Sequence, residues 1–356
     1  MRFAFTDEQV ELGAAVGDLL ANRCPPEALR AAWSSDDGRI PGLWSSLAAM
    51  GLAGLCVPEV HGGLGMSVLD AALPMVACGY AGVPEPVVPT VLIAPGLLAA
   101  AGRHEHLSPI AAGDTTVSAA VLDDPWFVGA DAADLLMLVG HRRDREMARL
   151  AVLVDRDRVD LEPVPSVDGA RRLTRGVAGR GLGDWGEVLD APDHEIDRAL
   201  DRGLVGMSCL LLGLAERMLD LTVAHVQDRQ QFGVPIGSFQ AIKHHCADAL
   251  LALDVARPVV WRAAWSLSNL PADDPAVAVH ASMAKAYASD AAAECAAQAL
   301  QCHAGIGYST EYDLHLYMKR VWTLQRAWGD AAWHRRLVAS AVIEGDYPDH
   351  PAPEHP

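Results

Sequence analysis

Arg229-Gln230-Gln231-Phe232-Gly233-Val234-Pro235-Ile236, followed by Phe239-Gln240, is the stretch on which the reading of this chain turns. Before it, Leu200–Asp228 carries apolar residues at helical spacing with few breaks. After it, Ala241–Asn269 does the same, with Pro258 expected to bend the helix or begin a new one. The stretch is therefore a tight Phe-Gly turn between two long helices. Three more helical segments follow: alanine-rich Pro275–His303, ending before Gly305, then Asp313–Trp328 and Asp330–Glu344. Long helices joined by short loops predict an antiparallel bundle over 196–345. A tail, 346–356, ends in His-Pro-Ala-Pro-Glu-His-Pro and is expected to be disordered.

The chain before the bundle divides in two. Thr6-Asp7-Glu8-Gln9 has the spacing of a capping box, so a helix is expected from there to about Asn22, stopped by Pro25-Pro26. Further helices are expected at Leu43–Met50, Val68–Cys78 and Thr90–Ala101, which makes 1–113 an N-terminal helical domain. From 114 to 195 the pattern changes to short apolar runs: Thr116–Val121, Leu135–Val139, Leu150–Val154, Val159–Val164 and Arg172–Val177. Breaks of Asp, Gly and Pro at this spacing predict a small β-sandwich or barrel. The fold class is mainly α with a small β domain.

Composition narrows the function classes. Lys+Arg 28 against Asp+Glu 46 gives a net charge of −18, the wrong sign for tracking a phosphate backbone, so no nucleic-acid partner is expected. Apolar runs such as Leu210–Ala215 are cut by Glu216 and Arg217, too soon to span a membrane. The seven cysteines form no C-x-x-C and mostly sit in apolar helical runs, which suits a reducing cytoplasm, and no signal peptide is evident. His244, His245 and His303 have no second ligand at metal spacing, so no metal is expected.

The local chemistry of the opening stretch is intelligible from its residues. Arg229 ends a helix, where a fixed guanidinium can grip a diphosphate bidentately or simply oppose the negative end of the helix dipole. Phe232 offers an aromatic face to a nucleobase or an apolar wall. Gly305 and Gly307 let backbone approach a phosphate or ribose, or merely cap a helix.

Read together, these motifs resemble the acyl-CoA dehydrogenases. The opening stretch is similar to that family's "R.QFG.PI..FQ" segment, and Gln301-Cys302-His303-Ala304-Gly305-Ile306-Gly307-Tyr308 with Glu311 to its "Q..GG.G…E" segment, about 70 residues later. Trp44, Met50-Gly51 and Pro58-Glu59-Val60-His61-Gly62-Gly63-Leu64-Gly65 resemble its N-terminal "W…MG…PE..GG.G". The resemblance runs from Phe3 to about Ile343. It implies that Arg229, Phe232, Gln240, Gln301 and Gly305 hold the adenine-diphosphate half of an FAD shared across a subunit interface.

The family's catalytic residue does not carry over. Its glutamate, the base that removes an α proton, usually stands after the fourth bundle helix, a position that falls on Trp328, followed by Gly329. An alternative position in some members falls on Gly203, followed by Leu204. Neither residue can take a proton. The stretch Val121–Val128 passes almost directly to Gly129–Asp134, so the loop that should line a flavin pocket looks deleted. Asp330 and Asp201 are the available substitutes, though an N-cap role for Asp330 and a helix-start role for Asp201 explain them as well.

Losses confined to the chain's own site imply an FAD-completing, non-catalytic subunit. It would belong to a heteromeric, α2β2 acyl-CoA dehydrogenase acting on a steroid- or lipid-derived CoA thioester, with the acyl-CoA on a catalytic partner subunit. Two other readings stay open: an active dehydrogenase using Asp330 or Asp201, and a flavin-free scaffold of the same fold.

Overall fold

A computed structural model describes residues 4–122, 126–141, 149–176 and 186–345. Phe3, Val177, part of the Val121–Val128 junction and the tail from 346 lie outside the described residues. The Thr6 box forms as its spacing predicts. The Gln9 amide donates to Thr6 Oγ1 (3.3 Å), the Thr6 amide donates to Gln9 Oε1 (2.9 Å), and α1 runs Asp7–Arg23. Pro26 opens α2 (Pro26–Trp33), and α3 (Leu43–Ala49) and α4 (Val68–Ala81) follow. Gln9 Nε2 donates to Asp70 Oδ1 (2.7 Å), which ties the first turns of α1 and α4 together. The helix expected from Thr90 begins instead as a π-turn, Val88–Ile93, and continues as α5 (Ala94–Ala100). Pro89, which has no amide to donate, stands in this widened turn, and Pro95 follows it in the first turn of α5. The buried Thr90 hydroxyl bridges the Val117 amide (3.0 Å) and carbonyl (3.2 Å), fixing where the β region starts. A short α6 (Leu107–Ala112) precedes it.

Two small sheets follow. In the first, β1 (Val117–Val121) pairs in parallel with β3 (Leu135–His141), which pairs antiparallel with β4 (Arg149–Asp155), itself edged by β7 (Glu187–Val188). In the second, β2 (Trp126–Val128), β6 (Leu173–Gly176) and β5 (Leu161–Val164) lie side by side. The first sheet is covered on both faces. Leu136, Leu138, Val152 and Val154 meet Phe127 in a core between the sheets, while Leu135, Met137, Val139 and Leu153 join the helical core. That double burial is why β3 and β4 read as unbroken apolar runs rather than alternating ones. β2 was not among the strands expected from sequence; three residues are too few to show a period.

The bundle contains α7 (Asp193–Asp228), α8 (Gln240–Asn269), α9 (Ala276–His303), α10 (Leu314–Leu324) and α11 (Ala331–Glu344). α7 starts earlier than its apolar pattern predicts, so Asp201 lies more than two turns inside it. α8 runs through Pro258 as one helix. α4 and α7 approach at glycines: a Cβ on Gly79 would lie 2.2 Å from the Leu210 carbonyl oxygen, and one on Gly213 2.0 Å from that of Val76. Arg320 of α10 pairs with the buried carboxylate of Asp168 and donates to the Val83 carbonyl (2.9 Å), pinning bundle, β region and N-terminal helices at one junction. Among the described residues no helix is long and apolar enough to cross a membrane.

Candidate functional site

At that junction the segments Val83–Pro89, β1, β2, α7 and the chain after α10 enclose a cavity of about 840 Å3. Trp126, Val128, Leu173, Met207, Leu210 and Trp328 form apolar wall, within the size range of small-molecule sites. The short β1–β2 junction, expected to remove a flavin-pocket wall, leaves a cavity all the same, because β2 itself supplies Trp126 and Val128.

The two positions where the resemblance looks for a glutamate meet here. A Cβ on Gly203 would lie 2.2 Å from Cζ3 of Trp328, so the indole rests on the bare backbone of α7. Trp328 holds φ +58°, unusual for a bulky side chain, and its turn is fixed from behind. Buried Lys285 of α9 donates to the carbonyls of Gln325 (3.1 Å) and Gly329 (3.0 Å) and to Ser289 Oγ (3.3 Å). His334 Nε2 donates to the Trp328 carbonyl (3.1 Å). These bonds explain why α10 ends at Leu324 rather than reaching Trp328 as the sequence predicts. Burial, then the nearby Arg171 guanidinium, pulls the Lys285 ammonium down to about 7, opposed by Asp330.

Neither substitute base lines the cavity. Asp330 is the exposed N-cap of α11, accepting from the Trp333 amide (2.8 Å). Asp201 is buried within α7, where desolvation and then Asp197 push its carboxyl up to about 7 against Arg198 and Arg202. The buried carboxylate on the cavity wall is one the sequence did not single out, Glu85. Its side chain is 1% exposed, and Arg39 stands 3.7 Å away without closing a hydrogen bond. Burial raises its carboxyl to about 7 in spite of Arg39 and the Ile40 amide. Glu85 sits in a Pro-Glu-Pro loop with no periodic context, so nothing local announces its burial.

The five residues expected to hold the adenine-diphosphate moiety lie at the far end of α7, some 26 residues from Gly203, about 39 Å along a helix. Gln230–Gln231 and Val234–Pro235 form a two-stranded hairpin with Phe232-Gly233 at its tip. The Ile236 amide returns to the Arg229 carbonyl (2.8 Å). Val226, Ile236 and Cys302 pack with Ile242 and Cys246, which brings the ends of α7, α8 and α9 together. Arg229, Phe232, Gln240, Gln301 and Gly305 are all exposed there. Phe232 is 91% exposed at φ +54°, touching only the edge of Phe239 (ring centroids 6.1 Å). The Arg229 guanidinium makes no hydrogen bond or ion pair with the described residues. An open cation, a ring held outward on strained backbone and two free amides suit a diphosphate joined to a nucleobase. His303 is core here: it stacks on His225 (4.2 Å) and meets the Tyr312 hydroxyl (3.1 Å), and burial pushes its imidazole down to about 4. No cluster among the described residues could hold a metal ion.

One regularity was not legible beforehand. Among the described residues the non-glycines with positive φ are Phe232, Ala304 and Trp328. Each stands in one of the motifs that carried the resemblance or at an expected base position, and such strain clusters at functional sites.

Helices, a small pair of sheets and a helical bundle around one cavity define the acyl-CoA dehydrogenase fold, and solved structures agree. A steroid acyl-CoA dehydrogenase, Tcur3481-Tcur3483, superposes with TM-score 0.83 at 21% identity, covering 96% of this chain and 99% of that one. The ChsE4-ChsE5 complex from Mycobacterium tuberculosis gives 0.82 at 22%, covering 99% and 100%. Residues 6–114 match the family's "Acyl-CoA dehydrogenase, N-terminal domain" and 195–343 its "Acyl-CoA dehydrogenase, C-terminal domain". The chain is 35% identical over 315 residues to acyl-CoA dehydrogenase IpdE2 of Mycobacterium tuberculosis, spanning 88% of this chain and 91% of that protein. IpdE2 of Mycolicibacterium smegmatis is 34% identical over 323 residues, spanning 88% and 92%. The chain belongs to the acyl-CoA dehydrogenase family, whose fold normally binds FAD.

Proposed function

We propose that this chain is the FAD-completing, non-catalytic subunit of a heteromeric acyl-CoA dehydrogenase. The observation that carries it is Trp328 seated on Gly203, so that both expected base positions are filled by one another's packing and no carboxylate can stand between them. A base must reach the α proton of the thioester, and Asp201 and Asp330 lie off the cavity altogether. The far end of α7, by contrast, keeps an unpaired arginine and an outward phenylalanine ready for a neighbour's cofactor.

In that arrangement Arg229, Phe232, Gln240, Gln301 and Gly305 would hold the adenine-diphosphate half of the FAD, with the Arg229 guanidinium suited to the diphosphate and the Phe232 ring to the nucleobase. The FAD would supply the hydride acceptor, and the partner the base and the bound CoA thioester. Each of the two similar complexes pairs two differently named chains, which supports a partner subunit; an α2β2 assembly is the arrangement we infer. One of them is described as a steroid acyl-CoA dehydrogenase, which favours a steroid-derived thioester over a simple fatty acyl chain.

Flavin content tests the assignment. The chain co-expressed with its partner should carry about one FAD per pair of subunits, and Arg229→Ala should lower retained FAD several-fold while the pair stays assembled. Unchanged flavin in the variant would refute the arginine contact, and a flavin-free wild-type complex would establish the scaffold reading instead.

A further inference from the structure

The cavity beside Trp328 has no carboxylate at either expected base position, but it is not without charge. Its charged wall groups are Asp37, Arg39, Glu85, Arg171, Arg320 and Arg326. Most are already spent. Arg39 faces Glu85 at 3.7 Å, and Asp37 at the rim accepts from the Arg39 amide (3.0 Å) and the Ser35 hydroxyl (3.1 Å). Arg320 takes the carboxylate of Asp168, whose Oδ1 also accepts from the Ala170 amide (3.1 Å). Arg326 is exposed. Arg171 remains: it lines the cavity, is half-buried, and its guanidinium has no hydrogen bond or ion pair with the described residues. Desolvation, eased by Asp168 and reinforced by Arg320, pulls it down to about 10, so it stays a cation at neutral pH. Arg171 and Trp328 line the same cavity.

A half-buried, unpaired guanidinium in an apolar cavity is costly unless an anion joins it. We propose that this cavity binds an apolar monocarboxylate, its carboxylate gripped by Arg171 and its hydrocarbon body lying along Trp126, Leu173, Met207 and Trp328. The guanidinium matches a carboxylate bidentately. Leu210 on its wall lies 19 residues of α7 before Arg229, about 29 Å along a helix, so the site stands or falls independently of the FAD assignment.

Calorimetric titration of the full-length protein, as purified with its partner, with decanoate, decanol and decanoyl-CoA tests this. Decanoate should bind at one per chain and at least tenfold more tightly than decanol. Arg171→Met should remove that advantage and leave decanol unchanged, while Arg171→Lys, which keeps the charge and guards against a folding artefact, should keep part of it. Equal binding of decanoate and decanol, decanoate affinity indifferent to Arg171→Met, or decanoyl-CoA binding that weakens with Arg171→Met as much as decanoate binding does would each overturn the proposal. Flavin content, measured on the same samples, should not follow Arg171.

Discussion

Glu85 carries a consequence that can be measured apart from any activity. Burial lifts its carboxyl from the ordinary 4.5 to about 7, so between those values the folded chain holds a proton that the unfolded chain releases. Stability from this group is complete below about 4.5, falls as pH rises through the window, and levels off above about 7, a loss on the order of 3 kcal/mol. Glu85→Gln, isosteric and neutral, should match the wild type in urea unfolding near pH 4.5 and exceed it near pH 8. A constant difference across that range would show that Glu85 does not titrate there. This residue was not legible in the sequence, because the groups that face it, Arg39 and Ile40, lie more than forty positions away. Lys285 was hidden for a related reason: in an alanine-rich helix it reads as a solvated side chain, yet it is fully buried against carbonyls from the far end of the chain. Asp330, by contrast, was readable as an N-cap because a cap needs only its own next turn.

At the scale of elements, α7 is fitted to its neighbours by what it lacks. Gly213 admits the backbone of α4, and Gly203 admits the ring of Trp328. Gly203→Ala should therefore destabilise the fold by about 1–3 kcal/mol through overpacking, but cost little in a Trp328→Ala background. A double-mutant cycle by chemical denaturation should give a coupling of at least about 1 kcal/mol. Additive costs would mean that the two do not press on each other. Helix existence was legible wherever apolar spacing ran long, as in α8 and α9, and strand existence wherever a sheet was covered on both faces. Helix ends were not. α7 begins in the polar turn after Pro192 without a side-chain cap, and α10 stops where Lys285 and His334 capture its following carbonyls, both tertiary or unsignalled events.

Across the whole molecule, one helix joins two unlike surfaces. Near the start of α7 a packed indole covers Gly203, so the two expected base positions meet there without a carboxylate, while at its end Phe232 is exposed and the Arg229 guanidinium makes no hydrogen bond or ion pair with the described residues. The motifs made the second surface legible because their residues are close in sequence. The first was legible only as a pair of absences at Gly203 and Trp328, 125 positions apart, until the fold set one on the other. Anaerobic stopped-flow reduction of the flavin by acyl-CoA in the assembled complex tests the division of labour most directly. If this chain supplies no base, Asp201→Asn, Asp330→Asn and Glu85→Gln in it should each leave the rate of flavin bleaching within about twofold of wild type, and the chain purified without its partner should bleach none. A hundredfold loss from any one of these three substitutions, or acyl-CoA-dependent bleaching by the chain alone, would contradict it.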